Sequence, residues 1–231
     1  MSGSIDARLQ QVRVRIDAAC RSANREPGEV GLVAVSKRHP AAAVLAAQAA
    51  GQRVFGENRV QELAAKAIEL QGAELEWHFI GSLQTNKVRE LLAVEGLTLL
   101  HSMDRRKLAD ELHKELERID RKLAVLLQVH ATDEPSKHGC PPEQVAALLR
   151  HVVEQCPRLE VRGLMAMGPL EGDPKPVFAA VASLRAELQK ATGLPLSVLS
   201  LGMSDDLELA VAAGSTMVRI GTAVFGQRLI R

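Results

Sequence analysis

Eight short apolar runs recur along this chain, and seven of the intervals between them carry helical periodicity. No other feature narrows the fold as much. The runs fall at 32–35, 53–56, 77–81, 97–101, 123–129, 160–165, 196–201 and 217–220. Aliphatic stretches this short and continuous read as strands buried on both faces of a parallel sheet. Between them, the segments 40–50, 60–70, 86–94, 105–120, 142–154, 174–192 and 205–213 read as helices. Strict alternation implies parallel pairing through right-handed crossovers, and eight units close a (β/α)8 barrel. Ile5, Leu9, Val12, Ile16, Ala19 and Ala23 add an amphipathic helix over 5–25. Little chain follows Gly226, so this opening helix is expected to fill the outer-ring position that an eighth helix would take. A doubly wound open sheet is the competing architecture, and it lacks the early G-x-G-x-x-G turn of dinucleotide folds.

Length and charge bear on what such a barrel can do. With 231 residues, 46% of them hydrophobic, the expectation is one core and a single domain over 1–231. A formal charge of +1 without a long basic run gives no footprint for nucleic acid. Tyrosine is absent, so it cannot serve as acid, base or nucleophile. Cys20, Cys140 and Cys156 show no C-x-x-C spacing, which indicates neither a metal site nor a disulfide framework. No run approaches membrane-spanning length and no apolar leader opens the sequence, so a cytoplasmic protein without a membrane partner is expected.

Barrels of this kind place their active sites at the C-terminal ends of the strands. The first strand ends in Ser36-Lys37. Period-two alternation puts Lys37 on the face of Val33 and Val35, where partial desolvation would favour the neutral amine that Schiff-base chemistry needs. A solvated loop lysine is the plain alternative. After strands seven and eight, Gly202-Met203-Ser204 and Gly221-Thr222 resemble a phosphate cup, with hydroxyl donors near helix starts at Asp205 and about Ala223. These glycines could equally be tight turns. Arg219 shares a face with Gly221. Inside a barrel its guanidinium needs a partner, either an acidic side chain or a ligand acceptor such as a pyridine nitrogen, to which it can donate without yielding a full proton. A lysine, an arginine and a phosphate cup at one mouth could together hold pyridoxal 5′-phosphate (PLP).

Several longer motifs carry a family resemblance. Ala34-Val35-Ser36-Lys37, Phe55-Gly56-Glu57-Asn58-Arg59-Val60-Gln61-Glu62, the run 77–87 beginning Trp77-His78-Phe79-Ile80-Gly81, Arg162-Gly163-Leu164-Met165, and the run from Leu201-Gly202-Met203-Ser204 to Arg219-Ile220-Gly221-Thr222 resemble the pyridoxal phosphate homeostasis protein family nearly end to end. The resemblance implies one PLP-binding barrel like the N-terminal domain of alanine racemase. It would make Lys37 the Schiff-base lysine and Arg219 the partner of the ring nitrogen. Ser204, Gly221 and Thr222 would hold the phosphate, Asn58 and His78 would line the ring, and Met203 would belong to the cofactor site. Ser82, His130 and Ala166 depart from the side chains more often found at those positions. The implied role is intracellular PLP, vitamin B6 and amino-acid balance, with PLP-dependent apoenzymes as recipients and no firm turnover.

Two enzymatic readings stand against the carrier. One is a racemase or lyase of low activity, using Lys37 on one cofactor face and Cys140, His78 or Lys137 on the other. The second is a cofactor-free Schiff-base aldolase acting on a sugar phosphate. The polar loop 130–140 is a candidate lid. Glu57, Arg59 and Glu62 are expected to form a structural charge set, and Lys87 and Arg89 to be solvated surface groups.

Overall fold

The computed structural model describes residues 3–132 and 138–227, and Lys137 with residues 133–136 of the candidate lid lies outside them. Eight parallel strands form a closed barrel in sequence order: β1 (Gly31–Val35), β2 (Val54–Glu57), β3 (Glu76–Phe79), β4 (Leu97–Met103), β5 (Leu123–Gln128), β6 (Leu159–Met165), β7 (Val198–Ser200) and β8 (Met217–Ile220). Closure is explicit in β1, which pairs Ala34 with Phe55 of β2 and Val33 with Arg219 of β8. The open-sheet alternative is thereby excluded.

The outer ring comprises α1 (Ile5–Ser22), α2 (Ala41–Ala49), α3 (Val60–Glu69), α4 (Val88–Leu92), α5 (Arg106–Arg118), α6 (Pro142–Gln155), α7 (Lys175–Thr192), α8 (Leu207–Ala212) and α9 (Thr222–Phe225). As expected, α1 completes the ring. It packs on α2, α8 and α9, while Arg8 donates to the Val224 carbonyl and Arg25 to the carbonyls of Val211 and Ser215. Ser4 caps its first turn through the Ala7 amide.

Three elements differ from their sequence-derived extents for local reasons. The segment expected to be helical over 86–94 opens instead with a 3₁₀ turn, Thr85–Lys87, before the short α4. β7 spans three residues, because Pro195 brings no N–H to a ladder and Leu196 takes a positive φ of 33°. Beyond β8 lies the four-residue α9, which Gly226 ends at φ 87°.

Two cores follow from strand alternation. Outward side chains such as Phe55, Phe79, Leu100, Leu164 and Val218 pack against Leu63, Leu112, Leu149 and Phe178 from the helices. Inside the barrel, Leu99, Leu126 and Met165 form a separate apolar cluster with Val198 and Met217 against it. Leu/Ile/Val/Met side chains buried this fully contribute roughly 1.5–3 kcal/mol each. Gly163 permits the close approach of β6 to β7, since a Cβ there would stand 1.7 Å from the Val198 carbonyl oxygen.

Candidate functional site

A cavity of about 640 Å³ opens at the C-terminal mouth. Lys37, Asn58, Met203, Ser204, Arg219, Gly221 and Thr222 all line it. His78, expected with them, does not. It points inward from β3 and is 5% exposed, one layer below Ile80, which does reach the cavity. The error is one of depth: alternation identifies the face but not the level at which a side chain meets open space.

Lys37 is half-buried just past β1, and the backbone is held on both sides of it. Ser36 donates its hydroxyl to Glu57 Oε1 at 2.7 Å and accepts at its carbonyl from Lys66 Nζ at 2.8 Å. On the other side, the Arg38 amide donates to Glu62 Oε1, with Arg38 at φ 64°. Lys66 joins the two carboxylates, donating to Glu57 at 2.6 Å and to Glu62 at 2.8 Å. Glu57 is fully buried. Burial raises its pKa, and Lys66 and Ser36 oppose that rise. Burial also acts on Glu62, but hydrogen bonds from Lys66 and the Arg38 amide outweigh it and lower its pKa. The expected charge set is therefore structural, with Lys66 rather than Arg59 as its central cation.

Arg219 enters from β8 and is 5% exposed. Its Nη1 donates to the Ser200 carbonyl at 2.8 Å and hydroxyl at 2.7 Å, and its Nη2 to the Ala166 carbonyl at 3.0 Å. These acceptors are neutral, so the acidic bridge weighed as an alternative is not what anchors it. Burial lowers its pKa to about 10, with Asp206 opposing, so it remains a cation at neutral pH. Three of its five N–H groups are engaged and the side chain faces the cavity, which suits an acceptor atom in the ligand. The contact at Ala166 is through the backbone, so the departure at that position leaves the anchor intact.

The β7 and β8 loops build the opposite wall. Gly202, at φ 91°, packs where a Cβ would be 2.5 Å from that of Ala210. Met203 donates its amide to Asp206 Oδ1 at 2.6 Å, which fixes the turn bearing Ser204. Gly221 precedes α9, whose first amides have no intrahelical acceptor, and a Cβ on Gly221 would meet the Val35 carbonyl oxygen at 3.2 Å. Hydroxyls from Ser204 and Thr222 join these amides in a donor set suited to a phosphate. Across the mouth, Gly81 approaches Asn58 so closely that a Cβ would stand 2.1 Å from the Asn58 carbonyl oxygen.

Sequence reading missed Arg15, His39, Gln128 and Met167 on this wall. Arg15 is the most informative of them. It arrives from α1, pairs with Glu208 at 2.9 Å and donates to the Ser204 carbonyl at 3.2 Å. The signal was available, since a helix assigned to the position beside β8 must present a face to the phosphate loop. Cys140 is buried away from the lining, and burial pushes its thiol up to about 11. Lys87 pairs with Glu90 at 2.7 Å at the surface, whereas the exposed Arg89 reaches the buried Glu115 at 2.9 Å.

Asp110, His151 and Cys156 cluster on the outer helices. His151 Nε2 lies 2.6 Å from Asp110 Oδ1, hydrogen-bond spacing and too short for two ligands of one tetrahedral zinc, which stand roughly 3.3 Å apart. Among the described residues, no helix is long and apolar enough to cross a membrane.

Comparison with known proteins gives a consistent result. The family described as "Alanine racemase, N-terminal domain" matches residues 8–229. The pyridoxal phosphate homeostasis protein of Pseudomonas aeruginosa is 47% identical over 225 residues, covering 97% of this chain and 96% of that one. The Escherichia coli protein of that name is 44% identical, with 95% of each chain covered. PipY of Synechococcus elongatus, solved with PLP bound, superposes with a TM-score of 0.83 at 40% identity, over 96% of this chain and 100% of that one. Alanine racemase from Corynebacterium glutamicum shares the fold at a TM-score of 0.71 and 17% identity, with 96% of this chain and 62% of that one covered.

Proposed function

The chain belongs to the pyridoxal phosphate homeostasis protein family, and we propose on that premise that it holds PLP as a Schiff base on Lys37 and serves intracellular vitamin B6 and amino-acid balance. One observation carries this reading. Lys37, a cationic Arg219 on neutral anchors and the Ser204–Thr222 donor set converge on one cavity. Its volume lies within the range of small-molecule sites, roughly 300–1,000 Å³.

When bound, PLP supplies an aldehyde that condenses with a primary amine, with loss of water, and a ring that can withdraw electrons. Lys37 provides the amine, and the Glu57–Lys66–Glu62 set fixes the backbone on both sides of it. Arg219 would donate to the ring nitrogen and keep its own proton, which would limit the ring as an electron sink. Asn58 and Met203 line the cavity where they would flank the ring, and Ser204, Gly221 and Thr222 would hold the phosphate.

A carrier is favoured over a racemase or lyase. Such an enzyme needs an acid or base on each cofactor face, and tyrosine is absent. Of the second-face candidates, Cys140 and His78 lie off the cavity, and Lys137 lies outside the described residues. The aldolase reading leaves Arg219 without a role. Met203 is 41% exposed and Thr222 is also exposed, an open mouth suited to exchange with PLP-dependent apoenzymes. The whole chain, 1–231, is read as one PLP-binding domain.

The test is the visible spectrum of PLP-supplemented wild type beside Lys37→Ala, followed by borohydride reduction and peptide mapping. A visible band that the variant loses, with the reduced adduct on Lys37, is expected. No band in the wild type overturns the reading. Stoichiometry-exceeding exchange of an amino acid α-hydrogen in deuterated water, lost in Lys37→Ala, would move the protein to the enzyme class.

A further inference from the structure

From Arg219 on the cavity wall into the barrel interior, four side chains from four strands form one hydrogen-bonded row. Arg219 Nη1 donates to Ser200 Oγ at 2.7 Å, Ser200 Oγ lies 3.1 Å from His101 Nδ1, and His101 Nε2 lies 3.0 Å from His78 Nδ1. All are buried: Ser200 and His101 are 0% exposed, His78 and Arg219 5% each. The row shares the barrel interior with the apolar cluster of Leu99, Leu126 and Met165. Buried polar groups in such a place must be satisfied, so the sequence of donors can be worked out along the row.

Arginine fixes the direction because a guanidinium has donors and no acceptor. Ser200 Oγ therefore accepts from Arg219. Among the described residues, the acceptor within reach of its own hydrogen is His101 Nδ1. The alternative, in which Ser200 accepts from both neighbours, would strand a hydroxyl hydrogen in a fully buried position, at a cost of roughly 1–3 kcal/mol. With Nδ1 accepting, His101 carries its proton on Nε2 and donates to His78 Nδ1. His78 then also holds its proton on Nε2. Both rings must be neutral for this order. Burial pushes His78 down to about 4, and burial together with the nearby Arg219 charge holds His101 well below the usual range.

We propose that Ser200, His101 and His78 are positioning residues that act on PLP through Arg219, as a one-way hydrogen-bond row that sets the guanidinium against the ring nitrogen. The inference rests on the PLP reading above. Nη1 is held at two points by Ser200 and Nη2 at one by Ala166, which leaves the remaining N–H groups for the cavity side. His101 removes the rotational freedom of the Ser200 hydroxyl, and His78 fixes the tautomer of His101. Unlike a carboxylate partner, this row neutralises none of the arginine charge, so the full cation faces the ligand.

The test begins with the PLP-depleted full chain. Nitrogen-15 spectra of its histidines should show His101 and His78 as neutral Nε2–H tautomers at neutral pH. Ser200→Ala should abolish the tautomer preference of His101, shift the visible band of the PLP-loaded protein and weaken PLP binding by about tenfold, the effect of one charge-assisted hydrogen bond. Ser200→Thr, which keeps the hydroxyl, should restore all three. An Nδ1–H tautomer at His101 in the wild type overturns the row even where PLP is taken up normally. So does a Ser200→Ala protein with unchanged band and affinity. Failure of the wild type to take up PLP removes the functional reading itself, and is recognised separately because the tautomers are read without the cofactor.

Discussion

Lys66→Met should be the most costly conservative-volume change outside the cavity. Lys66 is 6% exposed and its ammonium bridges Glu57, Glu62 and the Ser36 carbonyl. Removing it leaves Glu57, at 0% exposure, with only the Ser36 hydroxyl on Oε1, while Oε2 has no hydrogen-bond partner even in the wild type. Breaking a buried pair by deleting one member costs about 3–5 kcal/mol. The carboxyl can escape part of this by taking a proton. From a reference pKa of 4.5, that costs about 3.4 kcal/mol at pH 7 and about 1.4 kcal/mol at pH 5.5, at 1.36 kcal/mol per unit. The destabilisation should therefore be about 3–4 kcal/mol at pH 7 and shrink by about 2 kcal/mol at pH 5.5. Urea unfolding of wild type, Lys66→Met and Lys66→Met/Glu57→Gln at both values measures it. The double variant should recover much of the loss and show no such pH dependence. A pH-independent loss below about 1 kcal/mol would refute the reasoning, because it would mean that Glu57 needs no cation. PLP uptake by Lys37 should also slow in Lys66→Met, since the residues on both sides of Lys37 lose their anchor.

Three further outcomes follow from the geometry. His78 titrates near 4 in the fold against 6.5 in an exposed chain, so about 3 kcal/mol of stability is fully present above pH 6.5 and is lost as pH falls towards 4. His101 adds in the same direction, and His78→Gln should flatten the dependence of the urea midpoint over that window; equal slopes would disprove the assignment. Gly81→Ala drives a Cβ to within 2.1 Å of the Asn58 carbonyl oxygen, so it should lower stability by about 1–3 kcal/mol and weaken PLP binding, whereas Gly31→Ala, with its nearest atom at 3.8 Å, should be tolerated. Arg15→Gln breaks a half-exposed pair with Glu208 and should change stability by less than about 1 kcal/mol. It should nevertheless weaken PLP binding several-fold at low ionic strength and less in high salt, and a salt-independent effect would remove Arg15 from the phosphate environment.

Much of the fold was legible because barrel strands and their helices announce themselves locally. Aliphatic runs, Pro40 and Pro174 before helices, and Gly51 and Gly193 after them mark the alternation without tertiary knowledge. Period-two alternation likewise assigns Lys37, Arg219 and Gly221 to the inner face, where the structure has them. The extent of β7 and the 3₁₀ start of α4 were less legible, since a weak strand and a polar helix start depend on what their neighbours supply.

By itself, then, the sequence determined which residues face inward and which strand ends bear an amine, a guanidinium and hydroxyl donors. Depth and company were decided only by closure of the barrel. His78 carries the same inward signal as Ile80, yet it lies a layer lower and meets His101 from β4 instead of the cavity. Lys66 looks like an ordinary helix lysine until α3 packs on β2 and buries it between Glu57, Glu62 and Ser36. Ser200 gains its meaning from Arg219 of the neighbouring strand and from His101 across the interior. Apart from the i,i+4 pair of Lys66 with Glu62, these contacts join residues separated by 9 to 99 positions, and local periodicity has no information about such distances. They follow from the stagger of strands around a closed sheet, which sets the height at which each inward side chain meets the others.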